Sequence, residues 1–222
     1  MTRHMLVTGT GSLATELAGG LRAGGHMVEQ RAIVEVDKAA VGRLVTEATT
    51  ALGGIDTFVH VHQSAQTRTT VVETTTDQWV AMCEDSMAAA FHLTQAAHPV
   101  LAASEHGRLV FVVPTIGMAG AFGLAASAAA AESLRALTKS VAKQWGKYGI
   151  TVNTIAVGPQ HVIAGDVGRD VAEGVSLAVP AMGSPGDAAT DLAPLISLLS
   201  RDDAHFLTGT TLVADGGVWL TL

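Results

Sequence analysis

Apolar residues along this chain come in two patterns. Short continuous runs at 4–8 (HMLVT), 55–59 (IDTFV), 108–113 (RLVFVV) and 150–157 (ITVNTIAV) have the length and β-branched content of strands. Longer stretches between them repeat apolar residues at helical spacing. Residues 127–145 place Leu134, Leu137, Val141 and Trp145 at three- to four-residue steps, and 38–52 put Val41, Leu44, Val45 and Ala48 on one face. Further helices are predicted from Ser12 through Arg22, stopped by Gly24-Gly25, and from Thr76 or Asp77 as cap to Ala103. The second carries Trp79, Met82, Met87, Phe91 and Leu93 as apolar contacts. Ser184-Pro185 opens another helix, with serine as cap and proline at its first position. Long helices between short apolar strands imply parallel neighbours joined by right-handed crossovers. The expected fold is therefore α/β, a parallel sheet with helices packed on it, with 1–222 as one domain.

Composition sharpens this picture at three points. A hydrophobic content of 48% against 15% charged residues fits a compact, largely buried domain. The net charge is −7 and no basic stripe is visible along the sequence, which argues against a nucleic-acid partner. The single cysteine, Cys83, allows no internal disulfide and fits a reducing compartment. The apolar run 117–131 is too short to span a bilayer, and a strand starting at His4 leaves no room for a signal peptide. A cytoplasmic protein without membrane contact is expected.

Candidate chemistry gathers where strands end. The first strand runs into Gly9-Thr10-Gly11-Ser12-Leu13-Ala14 ahead of a helix. Backbone N–H groups and the helix dipole at such a turn favour phosphate, so Gly9, Gly11 and Ser12 are candidate cofactor-binding residues. The strand at 55–59 continues into His60-Val61-His62. The two histidines alternate with Val61 and would face the same side, at the strand end where open α/β sheets bind ligands. His161 follows the strand at 150–157 and is expected near the same mouth.

Several stretches together resemble the short-chain dehydrogenase/reductase family. They are Thr8-Gly9, Gly107-Arg108-Leu109-Val110, Val152-Asn153-Thr154-Ile155-Ala156-Val157-Gly158, and the Asp215-Gly216-Gly217 turn. The resemblance covers nearly the whole chain. It implies a Rossmann-like doubly wound parallel sheet in three α/β/α layers, usually of seven strands, that binds a nucleotide, and hydride transfer between NAD(P) and a carbonyl. In that chemistry a tyrosine passes the proton, a lysine lowers its pKa, and a serine holds the oxygen. The chain departs from the pattern in its glycine-rich turn, one residue short with Ser12 and Ala14 at the second and third glycine positions, and it departs twice more. Only twelve residues, His26 to Asp37, separate the first helix from the helix at 38–52. Two strands and a crossover helix cannot fit. One helix and one edge strand are therefore expected to be missing, leaving six strands, with Ile33–Val36 as the surviving one. The second departure is chemical. The serine position holds Pro114, the tyrosine position Ser127, the lysine position Ala131, and the position of a helix-borne active-site asparagine Ser86. An alkyl hydroxyl is too short and too weakly acidic to replace tyrosine. Ala131 supplies no charge, and Pro114 has no donor. The one tyrosine, Tyr148, precedes a strand and so belongs at the opposite end of the sheet.

The expected role is a non-catalytic subunit, a pseudoenzyme. It would form a homo-oligomer, or a hetero-oligomer with an active oxidoreductase homologue, through helices 77–103 and 127–145 and the C-terminal strand. The alternative is a cofactor-independent lyase, isomerase or hydrolase using His60, His62 and His161 as acid and base. A second alternative is an atypical NAD(P)-dependent oxidoreductase. No cofactor and no metal are expected; weak NAD(P) binding at the degenerate glycine turn, or another small-molecule ligand, is the remaining option.

Overall fold

The computed structural model describes residues 1–62, 68–162, 180–184 and 186–220. Among these, six parallel strands form one sheet: β1 (His4–Thr8), β2 (Met27–Arg31), β3 (Thr57–Val61), β4 (Arg108–Pro114), β5 (Thr151–Val157) and β6 (Thr211–Ala214). Their spatial order is β2-β1-β3-β4-β5-β6, so the chain reverses its direction of travel between β1 and β3. Helices α1 (Ser12–Ala23) and α8 (Ala193–Leu199) cover one face. Helices α2 (Lys38–Leu52), α4 (Asp85–Ala103) and α6 (Ala125–Trp145) cover the other. Strand alternation supplies both cores: Leu6, Phe58, Phe111 and Val113 point to the α2–α4–α6 side, and Val7, Val59, Val110 and Val112 to the α1–α8 side. All seven residues of β4 and all seven of β5 are buried, as in a parallel sheet covered twice.

The shortened connection resolves differently from the sequence expectation. The surviving edge strand is β2, which pairs with β1 from His4↔Met27 to Thr8↔Arg31. Residues 32–36 form no strand. They carry the chain from the sheet edge to α2, whose cap Asp37 accepts from the N–H groups of Ala39 (2.9 Å) and Ala40 (3.0 Å). The connection is held by Ile33, buried in the core, and by His92 Nδ1–H donating to the Val36 carbonyl at 2.6 Å. Pairing with β1 uses up the residues nearest the turn, and no second ladder remains for 33–36.

Two helix starts also shift. Thr75 caps α3 (Thr76–Trp79) in a reciprocal box: its hydroxyl accepts from Gln78 N–H, and Gln78 Oε1 accepts from Thr75 N–H at 2.9 Å. A π turn at Val80–Glu84 then joins α3 to α4. The helical segment leading into α8 begins with a π turn at Ala188–Leu192, capped by Asp187 rather than Ser184; Pro185 lies outside the described residues.

The family-like motifs have structural tasks. Asn153 on β5 donates to the Leu207 carbonyl (2.9 Å) and accepts from Thr210 N–H (3.2 Å), which tethers the approach to β6. Asp215 accepts from the N–H groups of Gly217, Val218 and Trp219 and closes the turn after β6. Gly20 lets α1 lie on the Ala188–Leu192 turn. A Cβ there would sit 2.7 Å from Ala189 Cα and 2.8 Å from Ala193 Cβ, and would strike the Ala189 carbonyl oxygen. Gly42, in α2, has open space around the same position. Gly20→Ala should therefore cost about 3 kcal/mol by forcing two packed elements apart. Gly42→Ala should gain up to about 1 kcal/mol from helix propensity. Urea midpoints of the two variants, moving in opposite directions, would check this pair.

Candidate functional site

The C-terminal ends of the strands form the candidate site, next to the reversal between β1 and β3 where such sheets receive ligands. Gly9 leaves β1 with φ 147°, and its N–H donates to the Arg31 carbonyl at 3.1 Å. A side chain at Gly9 would meet Val61 Cβ at 2.8 Å, so this turn needs glycine to lie against β3. Gly11, with φ 88°, caps α1 without a side-chain bond, and the first turn of α1 carries no carboxylate. Gly11 and Ser12 are exposed. The positive end of a twelve-residue helix thus opens to solvent, a setting suited to phosphate. The residues present fit the pyrophosphate of a dinucleotide.

His60 and His62 do share a side, but it is an interior one. His60 packs edge-on against Phe111, 6.1 Å between ring centroids, on the α2–α4–α6 side. The Thr8 hydroxyl donates to the Val59 carbonyl (3.3 Å), so its oxygen accepts from His60 Nδ1–H at 2.9 Å. His62 is 2% exposed, and neither of its ring nitrogens has a hydrogen-bond partner. Burial brings the His60 imidazole down to about 4; burial, and then the neighbouring His60, bring His62 down to about 3. Both rings are neutral at physiological pH and sealed from bulk water. His161 stands apart from them on α7 (Pro159–Val162), which packs on α1 and β4. Its influence reaches Asp187, whose carboxyl is held low first by Thr190 and then, among smaller effects, by His161. No three His, Cys, Asp or Glu side chains among the described residues form a metal-binding group.

Pro114 is the last residue of β4, paired with Val157 of β5. Ser127 and Ala131 are both buried on α6. Helix α5 (Ile116–Ala119) docks beside them, with Gly117 against Ala131 and Ala128. Ser127 lines a gap of about 10 Å³ shared with Thr69, Thr74, Met82 and Gly123, room for about one water. Ser86 is half-buried near the start of α4. Tyr148 sits in a turn just before β5, at the far end of the sheet as the sequence implies.

Reasoning from sequence gave no role to Trp219 and did not foresee a group of unpaired polar atoms. Among the described residues, Thr115 Oγ1, Gln160 Oε1 and Trp219 Nε1 are buried without hydrogen-bond partners, as are both nitrogens of His62. These four residues follow β3, β4, β5 and β6, all at the same end of the sheet. Arg68 Nε is in the same condition, and so are Arg108 Nε and Thr151 Oγ1 at the opposite end of the sheet. Each buried, unpaired polar group costs about 1–3 kcal/mol, and only the fold could reveal them, because they are distant in sequence.

Comparison with known proteins agrees with this architecture. A family model described as enoyl-(acyl carrier protein) reductase matches residues 23–219. The 3-oxoacyl-acyl-carrier-protein reductase FabG of Haemophilus influenzae is 30% identical over 190 residues, covering 83% of this chain and 76% of that protein. The short-chain dehydrogenase/reductase eriH of Hericium erinaceus is 30% identical over 215 residues, covering 91% of this chain and 81% of its own. Among solved structures, the TT0495 protein from Thermus thermophilus superposes with a TM-score of 0.81 at 26% identity, covering 97% of this chain and 98% of that one.

The buried imidazoles make stability depend on pH. Folded His60 and His62 stay neutral down to about 4 and about 3, whereas in the unfolded chain both take up protons below about 6.5. Their contribution is complete above that value and is lost as pH falls, by about 2 kcal/mol per imidazole at pH 5. His62→Leu should remove about half of this acid loss, and at neutral pH it should raise stability by relieving an unpaired buried group. Urea titrations at pH 7 and pH 5 would check both effects; equal acid loss in the variant and the wild type would contradict the assignment.

Proposed function

The chain belongs to the short-chain dehydrogenase/reductase family, and from that premise we propose that it is a single-domain, non-catalytic member that associates with itself or with an active oxidoreductase homologue. The observation that carries this reading is the trio Pro114, Ser127 and Ala131, where the family resemblance places serine, tyrosine and lysine. Carbonyl reduction needs a proton donor with a lowered pKa and a donor for the developing oxyanion. Proline and alanine have no side-chain donor at all. Ser127 lines a space the size of a water molecule. His60 and His62 are poor substitutes, since both are buried and neutral and would have to exchange protons through the packed interior.

Association finds support on α3 and α4. Trp79, Met87 and Phe91 are large apolar side chains left 39%, 40% and 48% exposed; Met87 and Phe91 lie one turn apart on α4, and Trp79 stands at the end of α3, before the π turn. Small residues at Ala129, Ser133 and Ala136 on neighbouring α6 would let another helix approach closely.

A second reading keeps the nucleotide without the reaction. The uncapped start of α1 and the exposed Gly11 and Ser12 support phosphate binding. The shortened β2–α2 connection leaves less wall for an adenosine, so the expected affinity is low.

Purified protein should oxidise no NADH or NADPH with ketone or 3-oxoacyl substrates. Turnover that scales with protein and persists through repeated purification would refute the non-catalytic reading. Calorimetric titration with NADH and NADPH separates the two readings: weak heats support nucleotide retention, and tight binding of either would revive the family's redox role. Met87→Glu should reduce the particle mass seen by light scattering without lowering the melting temperature; an unchanged mass would place association elsewhere.

A further inference from the structure

The sheet ends at β2, and on the side turned away from β1 no further strand follows among the described residues. The short connection from His26 to Asp37 has no room for one. Two hydrogen bonds fix which backbone groups lie on that open side. Met27 N–H donates to the Arg3 carbonyl at 3.0 Å, and the Arg31 carbonyl accepts from Gly9 N–H at 3.1 Å. In a parallel ladder, successive residues turn their N–H and C=O groups to opposite sides of the strand. Met27, Glu29 and Arg31 therefore bond to β1, and the backbone groups of Val28 and Gln30 point outward. Such an edge is a template for another extended chain. Here it is partly closed from within. Arg22, in the last turn of α1, reaches across to the Val28 carbonyl, donating from Nε at 3.2 Å and from Nη2 at 3.0 Å. Gln30 turns its side chain back to α1, where Nε2 donates to Thr15 Oγ1 at 3.0 Å.

We infer that Arg22 guards this edge, holding an outward acceptor of β2 so that the same edge of a second copy does not pair with it. A two-fold contact between two such edges runs the strands antiparallel, centred on Glu29. It sets Val28 of each copy opposite Gln30 of the other, the position at which antiparallel residues exchange two hydrogen bonds. The Val28 carbonyl is one of the acceptors that pairing requires, and the Arg22 fork already fills it. Glu29 would face Glu29 across the axis, but Arg31 answers its charge within each copy at 3.1 Å, so like-charge repulsion is the smaller obstacle. Edges managed by a charged side chain are a general answer to unwanted sheet growth. In this chain the charge comes from the helix before the strand and lies on the backbone itself. The inference stands apart from the association reading, which concerns α3, α4 and α6.

The test compares the full chain with Arg22→Ala, a change that suits a helix as well as arginine does. Light scattering over a rising concentration series should show the particle mass of Arg22→Ala climbing to roughly twice the wild-type value, since each molecule has one such edge. Amide exchange at Val28 and Gln30 should slow in the same samples. Gln30→Pro added to Arg22→Ala removes an outward N–H and leaves the ladder to β1 untouched, so it should return the mass to the wild-type value. Arg22→Lys offers a point donor in place of the fork and should fall between. The proposal is overturned if Arg22→Ala keeps the wild-type mass at every concentration, if the added mass survives Gln30→Pro, or if the Val28 and Gln30 amides exchange as fast as in the wild type. A melting temperature that falls as the mass rises would assign the gain to unfolded chain and overturn it equally. Neither Met87→Glu nor enzymatic turnover enters these readouts, so failure here is distinguishable from failure of the non-catalytic reading.

Discussion

The sheet is buried on both faces along β3, β4 and β5, and this governs which polar groups the molecule can hold. Every such group in these strands must be neutral, paired, or costly. Thr138 on α6 donates to Leu134 O and so accepts from Thr154 of β5, which spends both hydroxyls. Arg108, almost fully buried at the other end of β4, gives Nη1 to the Gly107 carbonyl at 2.8 Å, and desolvation lowers its pKa first among several causes. His60 leans on Thr8. Among the described residues, His62 has nothing on either nitrogen, and Arg108 Nε and Thr151 Oγ1 are unpaired as well. Double burial therefore leaves a few polar atoms without partners at both ends of the sheet.

Most of the fold could be read from the chain, because double burial writes itself as continuous apolar runs. The runs at 4–8, 108–113 and 150–157 locate β1, β4 and β5 closely, and the helical spacing within 38–52 gives α2 without adjustment. The misplacements share one cause. Met27–Arg31 reads as polar because an edge strand stays only half-buried, so the more apolar 33–36 looked like the strand. Hydrophobicity at Ile33 reported burial in a connecting loop, not pairing. The caps moved for a similar reason: Thr75 and Asp187 compete with equally plausible neighbours, and only hydrogen-bond geometry decides between them.

The site was legible in part. Alternation correctly put His60 and His62 on one side, but period two cannot tell a solvent-facing side from an interior one. Here α4 and α6 cover it, and their position follows from crossovers that sequence spacing does not measure. His161 comes at the end of the strand beside β4, which suggested convergence; its helix turns toward α1 instead.

The architecture depends on a small set of family-like residues for a physical reason. The matching residues that persist satisfy backbone groups of buried elements: Asn153 bonds two of them near β6, Asp215 three in the closing turn. Gly107 admits the Leu101 carbonyl, which would lie 2.7 Å from any Cβ there. Losing any of these leaves an unmade bond or a clash, and costs stability directly. At 114, 127 and 131 a strand-ending proline, a small hydroxyl and a methyl group serve packing instead, and the contacts between β4, α5 and α6 are close.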